Sequence, residues 1–124
     1  MADVREYTVS ARSTEVFGRV RASARTHEIV IDGPVENGCP GEELTPAELF
    51  LGGVATCAAE LIQVIAHARE VPLRGVRARI HGVIDRGAQP RTDVSLFTSV
   101  RLDIEMNGVS DDDAEMLVEA FKGR

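Results

Sequence analysis

The first quarter of the chain alternates between hydrophobic and polar residues. Tyr7, Val9 and Ala11 are separated by polar neighbours, and two similar stretches follow at residues 17–23 and 27–32. A period of two is typical of β-strands that pack one face and expose the other. The pattern therefore predicts three short strands in an antiparallel meander.

A long helix is predicted to follow a loop at residues 33–43 that is rich in glycine and proline. Thr45 suits the N-cap, Pro46 the first helical position, and Glu48 the position from which a carboxylate reaches back to the cap. Proline disfavours helical backbone in the residue that precedes it. We therefore expect the helix to end at about Glu70, ahead of the next proline.

The first half of this predicted helix, residues 49–59, is apolar or small on every side. A helix of that kind is usually buried all round, so we expect it to form the core. Glu60, Gln63 and His67 follow at spacings of three and four residues, which places them on one polar face of the second half. Cys57 lies one turn before Glu60 on the same line.

Two longer alternating segments follow at residues 76–85 and 94–106, with a turn at 87–91 between them. Their period of two predicts an antiparallel hairpin. Opposite charges across such a hairpin contribute about 0.2–1 kcal/mol per pair. The pairs expected here are formed by Arg77 and Arg79 with Asp103 and Glu105.

The second strand of this hairpin is long for a small domain. About 13 residues of about 3.3 Å each extend roughly 40 Å, about twice the usual strand length. A globule of this size has a radius of gyration of about 14 Å. We therefore expect the strand to bend, to break or to continue onto a partner subunit.

A last helix is predicted from Ser110, whose hydroxyl suits an N-cap, to Gly123. Three aspartates at 111–113 suit the positive end of its dipole. Strands in two groups together with two helices predict an α+β fold. A chain of 124 residues allows one domain, which we expect to span residues 1–124.

Charge and hydropathy limit the expected partners. With 20 acidic and 14 basic residues the formal net charge is −6. An acidic chain is repelled by nucleic acid and by anionic membrane surfaces, so neither is expected to bind. No apolar run approaches the roughly 20 residues of a membrane span, and residues 1–8 lack the layout of a secretory signal. We therefore expect a cytoplasmic protein.

Cys39 and Cys57 are the only cysteines in the sequence. Two cysteines are too few for a disulfide scaffold, and the spacing of the cysteines and histidines forms no metal-binding pair. We expect no metal and no other cofactor. A role for these thiols would therefore lie in their own chemistry.

Several motifs together carry a resemblance to a known family. They are His27-Glu-Ile-Val-Ile-Asp32-Gly-Pro, Gly38, Thr45-Pro-Ala-Glu-Leu-Phe-Leu-Gly-Gly-Val-Ala-Thr-Cys57, and Val71-Pro-Leu-Arg-Gly-Val76 at the entry to the hairpin. On these motifs the chain, over about residues 5–122, resembles the osmotically inducible protein C / organic hydroperoxide resistance (OsmC/Ohr) family. The proline-initiated helix with a cysteine in its middle is the most specific of them.

The resemblance implies an intertwined homodimer, in which antiparallel sheets of both subunits pack around long central helices. It also implies a thiol peroxidase, in which a cysteine on the core helix attacks the O–O bond of a hydroperoxide. A second cysteine near the C-terminus then closes a disulfide that a dithiol reduces. By its place in the helix motif, Cys57 corresponds to the reactive cysteine.

The sequence departs from the family at the second cysteine. That residue usually belongs to a Cys-Pro pair beyond the last helix, and this chain ends at Arg124 before such a pair. We therefore expect that the family's C-terminal segment is absent or that the usual resolving step is missing. Cys39 offers another route, because its loop leads directly into the helix that carries Cys57 and a mobile loop thiol can attack a sulfenic acid.

Two further site residues follow from the resemblance less directly. The family's acidic partner commonly follows the helix-opening proline, where this chain has Ala47, and Glu48 comes one place later. The activating arginine comes from the N-terminal strands, and both Arg19 and Arg12 are candidates. In this role the carboxylate orients the arginine, and the arginine stabilises the thiolate and the departing oxygen.

Simpler interpretations remain open for each of these residues. Cys57 is also suited to packing, since free cysteine is often buried, and it lies beyond the first helical turn where the dipole would favour a thiolate. Glu60 would oppose ionisation if it faced the sulfur. The alternative function is a non-catalytic OsmC-like dimer that binds a small ligand at the subunit interface. A cysteine hydrolase is weaker, because no histidine is placed beside Cys57.

Overall fold

A computed structural model describes residues 3–124. The chain divides into two compact units, of which the first extends to Phe50 and the second spans Leu51–Arg124. In chain order the elements are β1 (Ser10–Ser13), β2 (Arg19–Ala24), β3 (His27–Asp32), a 3₁₀ turn (Val35–Asn37), α1 (Pro46–Ala68), β4 (Gly75–Val83), a 3₁₀ turn (Arg86–Ala88), β5 (Ser99–Asn107) and α2 (Asp111–Lys122).

The first unit contains the predicted antiparallel meander, in the order β1, β2, β3. The register places Arg19, at the start of β2, opposite Asp32, at the end of β3. The expected strand around Tyr7 is wrong, because β1 begins at Ser10 and Tyr7 is 84% exposed. Pairing with β2 extends from Ser10 to Ser13 alone, so the alternating residues upstream belong to no strand.

Helix α1 begins at Pro46 as predicted and ends at Ala68, two residues before the expected end. Glu70 adopts a left-handed backbone with φ of 57°. The N–H of Val71 donates to Ala66 O at 2.9 Å, which satisfies a carbonyl left open at the end of the helix. The following proline keeps the chain from returning to helix.

The second unit contains the predicted hairpin, with Arg77 opposite Glu105 and Arg79 opposite Asp103. The expected long second strand is wrong, because β5 has nine residues and begins at Ser99. Ahead of it, the Gln89 amide accepts from Leu96 N at 2.6 Å and donates to Leu96 O at 3.0 Å. The Gln89 side chain thus satisfies the backbone groups of Leu96 that would otherwise bond to a neighbouring strand.

The core of the second unit lies where the C-terminal half of α1 meets α2 and the hairpin. Ile62 and Leu117 are completely buried, and Ile65 is 5% exposed. Partly buried side chains from β4 and β5, including Val76 and Ile104, pack against them. Helix α2 agrees with prediction, and Ser110 Oγ caps it by accepting from Asp113 N at 3.1 Å.

The first half of α1 is not buried within one chain, contrary to the prediction. Phe50 is 63% exposed and Val54 40%, whereas the buried residues of α1 begin at Ala58. The sequence-based statement that no run approaches a membrane span is also wrong for α1, which is long and apolar enough by length and composition. Core helices of soluble proteins meet the same criterion. The fold thus leaves an apolar helical surface uncovered.

Candidate functional site

Cys57 lies in the middle of α1 with its thiol exposed. It follows Thr45 by twelve residues, so the N-terminal end of the helix dipole has little effect on it. Helical periodicity places Val54, Glu60 and Leu61 around it, at one turn before and after. The sulfur is therefore accessible on a largely apolar surface, with one carboxylate nearby on the helix.

Arg19 is the most firmly held arginine of the first unit. Its Nε donates to Asp32 Oδ1 at 2.8 Å and its Nη2 to Asp32 Oδ2 at 2.9 Å, which is bidentate pairing. Nη2 also donates to Glu42 Oε1 at 2.9 Å. The pairing follows from the strand register, which places Arg19 opposite Asp32.

Asp32 is fully buried, and all its hydrogen bonds come from charged or backbone donors. Besides Arg19, the N–H groups of Glu42 and Glu43 donate to Oδ2 at 3.0 and 3.1 Å. The Arg19 hydrogen bonds foremost, assisted by these N–H groups, lower the pKa of Asp32 from 3.8 to about 2, against burial, which raises it. The same pairing raises the pKa of Arg19. Both groups are therefore charged throughout the neutral range.

Stability should respond to acid through Asp32. A carboxyl whose pKa is lowered on folding stabilises the fold above its unfolded value and loses that contribution as the pH falls through its folded value. We therefore expect the urea midpoint to fall between about pH 4 and pH 2, and less steeply in Asp32→Asn. Parallel pH dependences in wild type and variant would contradict this assignment. Glu28 and Glu48, whose pKa values are also lowered, account for the response that remains.

Glu48 forms the predicted capping box at the start of α1. Its Oε1 accepts from Thr45 N and from Thr45 Oγ1, each at 2.9 Å, and these bonds lower its pKa. The carboxylates that pair with Arg19 are instead Asp32 and Glu42, neither of which the sequence predicted. The pairing of Asp32 would have followed from the strand register that places it opposite Arg19. A functional role for Glu48 remains a prediction.

Cys39 occupies a space that two glycines leave open. Its side chain lies against Gly18 and Gly33, and a β-carbon on either glycine would collide with it. Gly33 N donates to Gly18 O at 2.8 Å, which holds the β1–β2 turn against the end of β3. The Cys39 side chain packs against both. The loop that carries Cys39 is therefore packed onto the turn that precedes Arg19.

Arg12, the other candidate arginine, is held more loosely. It lies on β1 and donates to Glu28 at 3.4 Å, with its side chain 71% exposed. The Arg19 side chain is 26% exposed and forms three hydrogen bonds. Arg19 is thus the arginine with a defined position.

The predicted site residues are divided between the two units. Arg19, Cys39 and Glu48 belong to the first unit, and the hydrogen bonds of residues 3–124 do not join them to one another. Cys57 belongs to the second. Across the described part of the chain, no group of three histidine, cysteine or carboxylate residues is arranged to hold a metal ion.

Fold and site together define an α+β protein with an exposed cysteine in the middle of a proline-initiated helix and an arginine held by a buried aspartate. The family model described as "OsmC-like protein" matches residues 39–123, more than half of the chain. The chain therefore belongs to the OsmC-like family. No curated protein matches the sequence.

Solved structures share this fold. An OsmC-like protein from Mycoplasma pneumoniae is 17% identical with a TM-score of 0.80, and the match covers 97% of this chain and 82% of that one. An organic hydroperoxide resistance protein OsmC from Legionella pneumophila is 20% identical with a TM-score of 0.75, covering 98% and 85%. One from Elizabethkingia anophelis, with thiocyanate bound, is 14% identical with a TM-score of 0.77, covering 99% and 85%.

Proposed function

We propose that this protein is a thiol-dependent peroxidase that reduces organic hydroperoxides through Cys57. The observation that carries the proposal is the exposed Cys57 in the middle of α1, within the residues that the OsmC-like family model matches. Leu61, one turn after Cys57 on the helix, offers an apolar side chain to the organic part of the substrate. The names of the Legionella and Elizabethkingia proteins, which refer to organic hydroperoxide resistance, support the same substrate class.

The reaction takes place in two steps. The Cys57 thiolate attacks the terminal oxygen of the hydroperoxide, an S–O bond forms, and the O–O bond breaks. The alkoxide takes a proton and leaves as an alcohol, while Cys57 becomes a sulfenic acid. A dithiol then reduces the sulfenic acid in two exchanges, which release water, restore the thiol and leave the dithiol as a disulfide.

Arg19 is proposed as the cation that favours the thiolate and stabilises the negative charge on the departing oxygen. It is preferred over Arg12 because Asp32 holds its guanidinium in place. Cys39 is proposed as a thiol that resolves the sulfenic acid when its loop leaves Gly18 and Gly33. An external dithiol performs that step if Cys39 does not.

A homodimer is proposed to cover the exposed first half of α1. We expect Val54→Asp to raise the dimer dissociation constant at least about 100-fold, since an unpaired carboxylate buried in an interface costs about 3 kcal/mol or more. Sedimentation velocity across a dilution series measures this. Thr92→Asp, in the exposed loop between β4 and β5, is the control. Equal dissociation constants for Val54→Asp and wild type would contradict the proposed interface.

Trapping the sulfenic acid tests the proposed function. Reduced Cys39→Ser protein, which lacks the proposed resolving thiol, is mixed with one equivalent of tert-butyl hydroperoxide and a cyclic 1,3-diketone, which adds to sulfenic acids, and its peptides are then analysed by mass spectrometry. The proposal requires the adduct on the Cys57 peptide in high yield. An unmodified Cys57 alongside undiminished peroxide would exclude it.

A non-catalytic, ligand-binding dimer is the second candidate. It is favoured by the charge around Arg19, where Asp32 and Glu42 together outweigh one guanidinium by one negative charge. Such a cluster is a weak activator of a thiolate if Glu42 stays in place. This candidate predicts no diketone adduct on Cys57, so the same experiment separates the two.

A further inference from the structure

The loop between β4 and β5, in the second unit, is tied together by its own hydrogen bonds. Gln89 bridges its two arms, because its Nε2 donates to Asp85 O at 2.7 Å and to Leu96 O at 3.0 Å. At the base of the loop, Thr98 N donates to Val83 O at 2.7 Å. A loop that is ordered in this way loses little conformational freedom when it binds a ligand.

This loop borders a cavity of about 480 Å³, which lies within the usual range of small-molecule sites. Its walls are mostly polar and contain no acidic residue: they are formed by Arg86, Gln89, Arg91, Thr92, Val94 and Ser95. The cavity between β5 and α2 has the opposite character, since its walls include Asp111, Glu115 and Glu119. The loop cavity is thus positively charged in a chain whose formal net charge is −6.

Most of the donors around the loop cavity are not used within the protein. Arg91 Nε pairs with Asp93 Oδ1 at 3.0 Å, and both side chains are 69% exposed. Within residues 3–124, the side chains of Arg86, Thr92 and Ser95 form no hydrogen bond or ion pair with other protein groups. The cavity therefore offers one unpaired guanidinium, one that is weakly paired, and two hydroxyl groups to a ligand.

We propose that the loop cavity binds the phosphate group of a small, soluble phosphate monoester. Such a group carries about two negative charges near neutral pH, which match the charges of Arg86 and Arg91. Its three terminal oxygens can accept from guanidinium and hydroxyl groups together, whereas a carboxylate has one charge and two oxygens. The remaining volume accommodates the organic part of the molecule beside Val94. Every wall residue belongs to the loop, so this inference goes beyond the peroxide chemistry proposed for Cys57.

Calorimetric titration of the full chain with phenyl phosphate tests the proposal. We expect one molecule to bind per chain, and Arg86→Ala to raise Kd at least about tenfold, because charge-assisted hydrogen bonds to phosphate are strong. Arg86 is exposed, so its removal leaves the core intact. The matched control is Arg101→Ala, which removes the same charge from β5, where this arginine pairs with Asp103. The control should change Kd less than about twofold.

Asp93→Asn should change the affinity in the opposite direction. Loss of this carboxylate frees Arg91 for the ligand, so Kd for phenyl phosphate should fall by about two- to fivefold, the range expected for an exposed ion pair. A substitution that merely disturbed the loop would not tighten binding. Weaker binding in Asp93→Asn would therefore contradict the proposed role of Arg91. Phenol, which lacks the phosphate group, should not bind.

Two further results would overturn the proposal. One is the absence of phenyl phosphate binding, and the other is equal weakening in Arg86→Ala and Arg101→Ala, which would indicate attraction to overall charge rather than a site. Sedimentation with phosphatidic acid vesicles separates a lipid phosphate from a soluble one. We expect the protein to stay in the supernatant. Co-sedimentation that Arg86→Ala abolishes would assign the cavity to a membrane lipid instead.

Discussion

Replacing Cys57 by serine should lower the rate of thiol-dependent peroxide reduction at least about 1000-fold, as expected when a nucleophile is removed. Serine keeps nearly the same shape, but its hydroxyl is not ionised near neutral pH and does not take an oxygen atom from a peroxide. The measurement is the loss of tert-butyl hydroperoxide over time in the presence of an excess of dithiol.

The matched control for this prediction is the neighbouring Thr56→Ser. Its hydroxyl donates to Gly52 O at 2.8 Å within α1, and serine keeps that bond. Thr56→Ser should retain the wild-type rate, which would attribute the loss to the sulfur rather than to a disturbed helix. Equal rates for Cys57→Ser and wild type would show that the thiol takes no part in peroxide reduction.

Ile62→Ala should destabilise the protein by about 3–4 kcal/mol. Ile62 is completely buried in the contact between α1 and α2, beside Leu117. Truncation removes three carbons and leaves a cavity in a core that is small to begin with. Urea unfolding at a fixed protein concentration measures the change in the free energy of unfolding, since assembly would make the stability depend on concentration.

Gln63→Ala, one residue further along α1, is the control for the core substitution. Gln63 is exposed, and its amide donates to Ala59 O at 3.1 Å on its own helix. The expected change is within about 0.5 kcal/mol. A loss in Ile62→Ala no larger than that in Gln63→Ala would show that this contact is not the core of the second unit.

Local signals explain why much of the fold was predictable. The capping box of Thr45 and Glu48 acts within one turn, so it defines the start of α1 whatever packs around it. Pro72 defines the end in the same local way. The hairpin was predictable because its alternating apolar face and its opposed charges require the same register.

The shortened β5 was not predictable from alternation. Residues 94–98 keep the period of two, but Leu96 N and O bond to the Gln89 side chain, and Thr98 N meets β4 at its last residue, Val83. Gln89 reaches Leu96 across seven residues, a contact that depends on the loop conformation. The exposure of the first half of α1 was unpredictable for a related reason. The sequence pattern shows that this helical surface is apolar, but it does not show whether the same chain or another one covers it.

The Arg19–Asp32 pair was missed because it depends on the register of β2 and β3. That register is set by the two-residue turn at Arg25 and Thr26, which joins the paired Ala24 and His27. Arg25 has a left-handed φ of 57°, a conformation for which glycine or asparagine is the usual signal. Without that signal the position of the turn could not be predicted, and neither could the pairing of Asp32 with Arg19.

The proposed activation of the Cys57 thiol by Arg19 can be measured by the rate of alkylation at pH 6. Iodoacetamide reacts with thiolates, and mass spectrometry follows the peptides of Cys57 and Cys39 in the same sample. We expect Cys57 to react at least about tenfold faster than Cys39 and to lose this advantage in Arg19→Ala. Equal rates for the two cysteines, unchanged in Arg19→Ala, would contradict it.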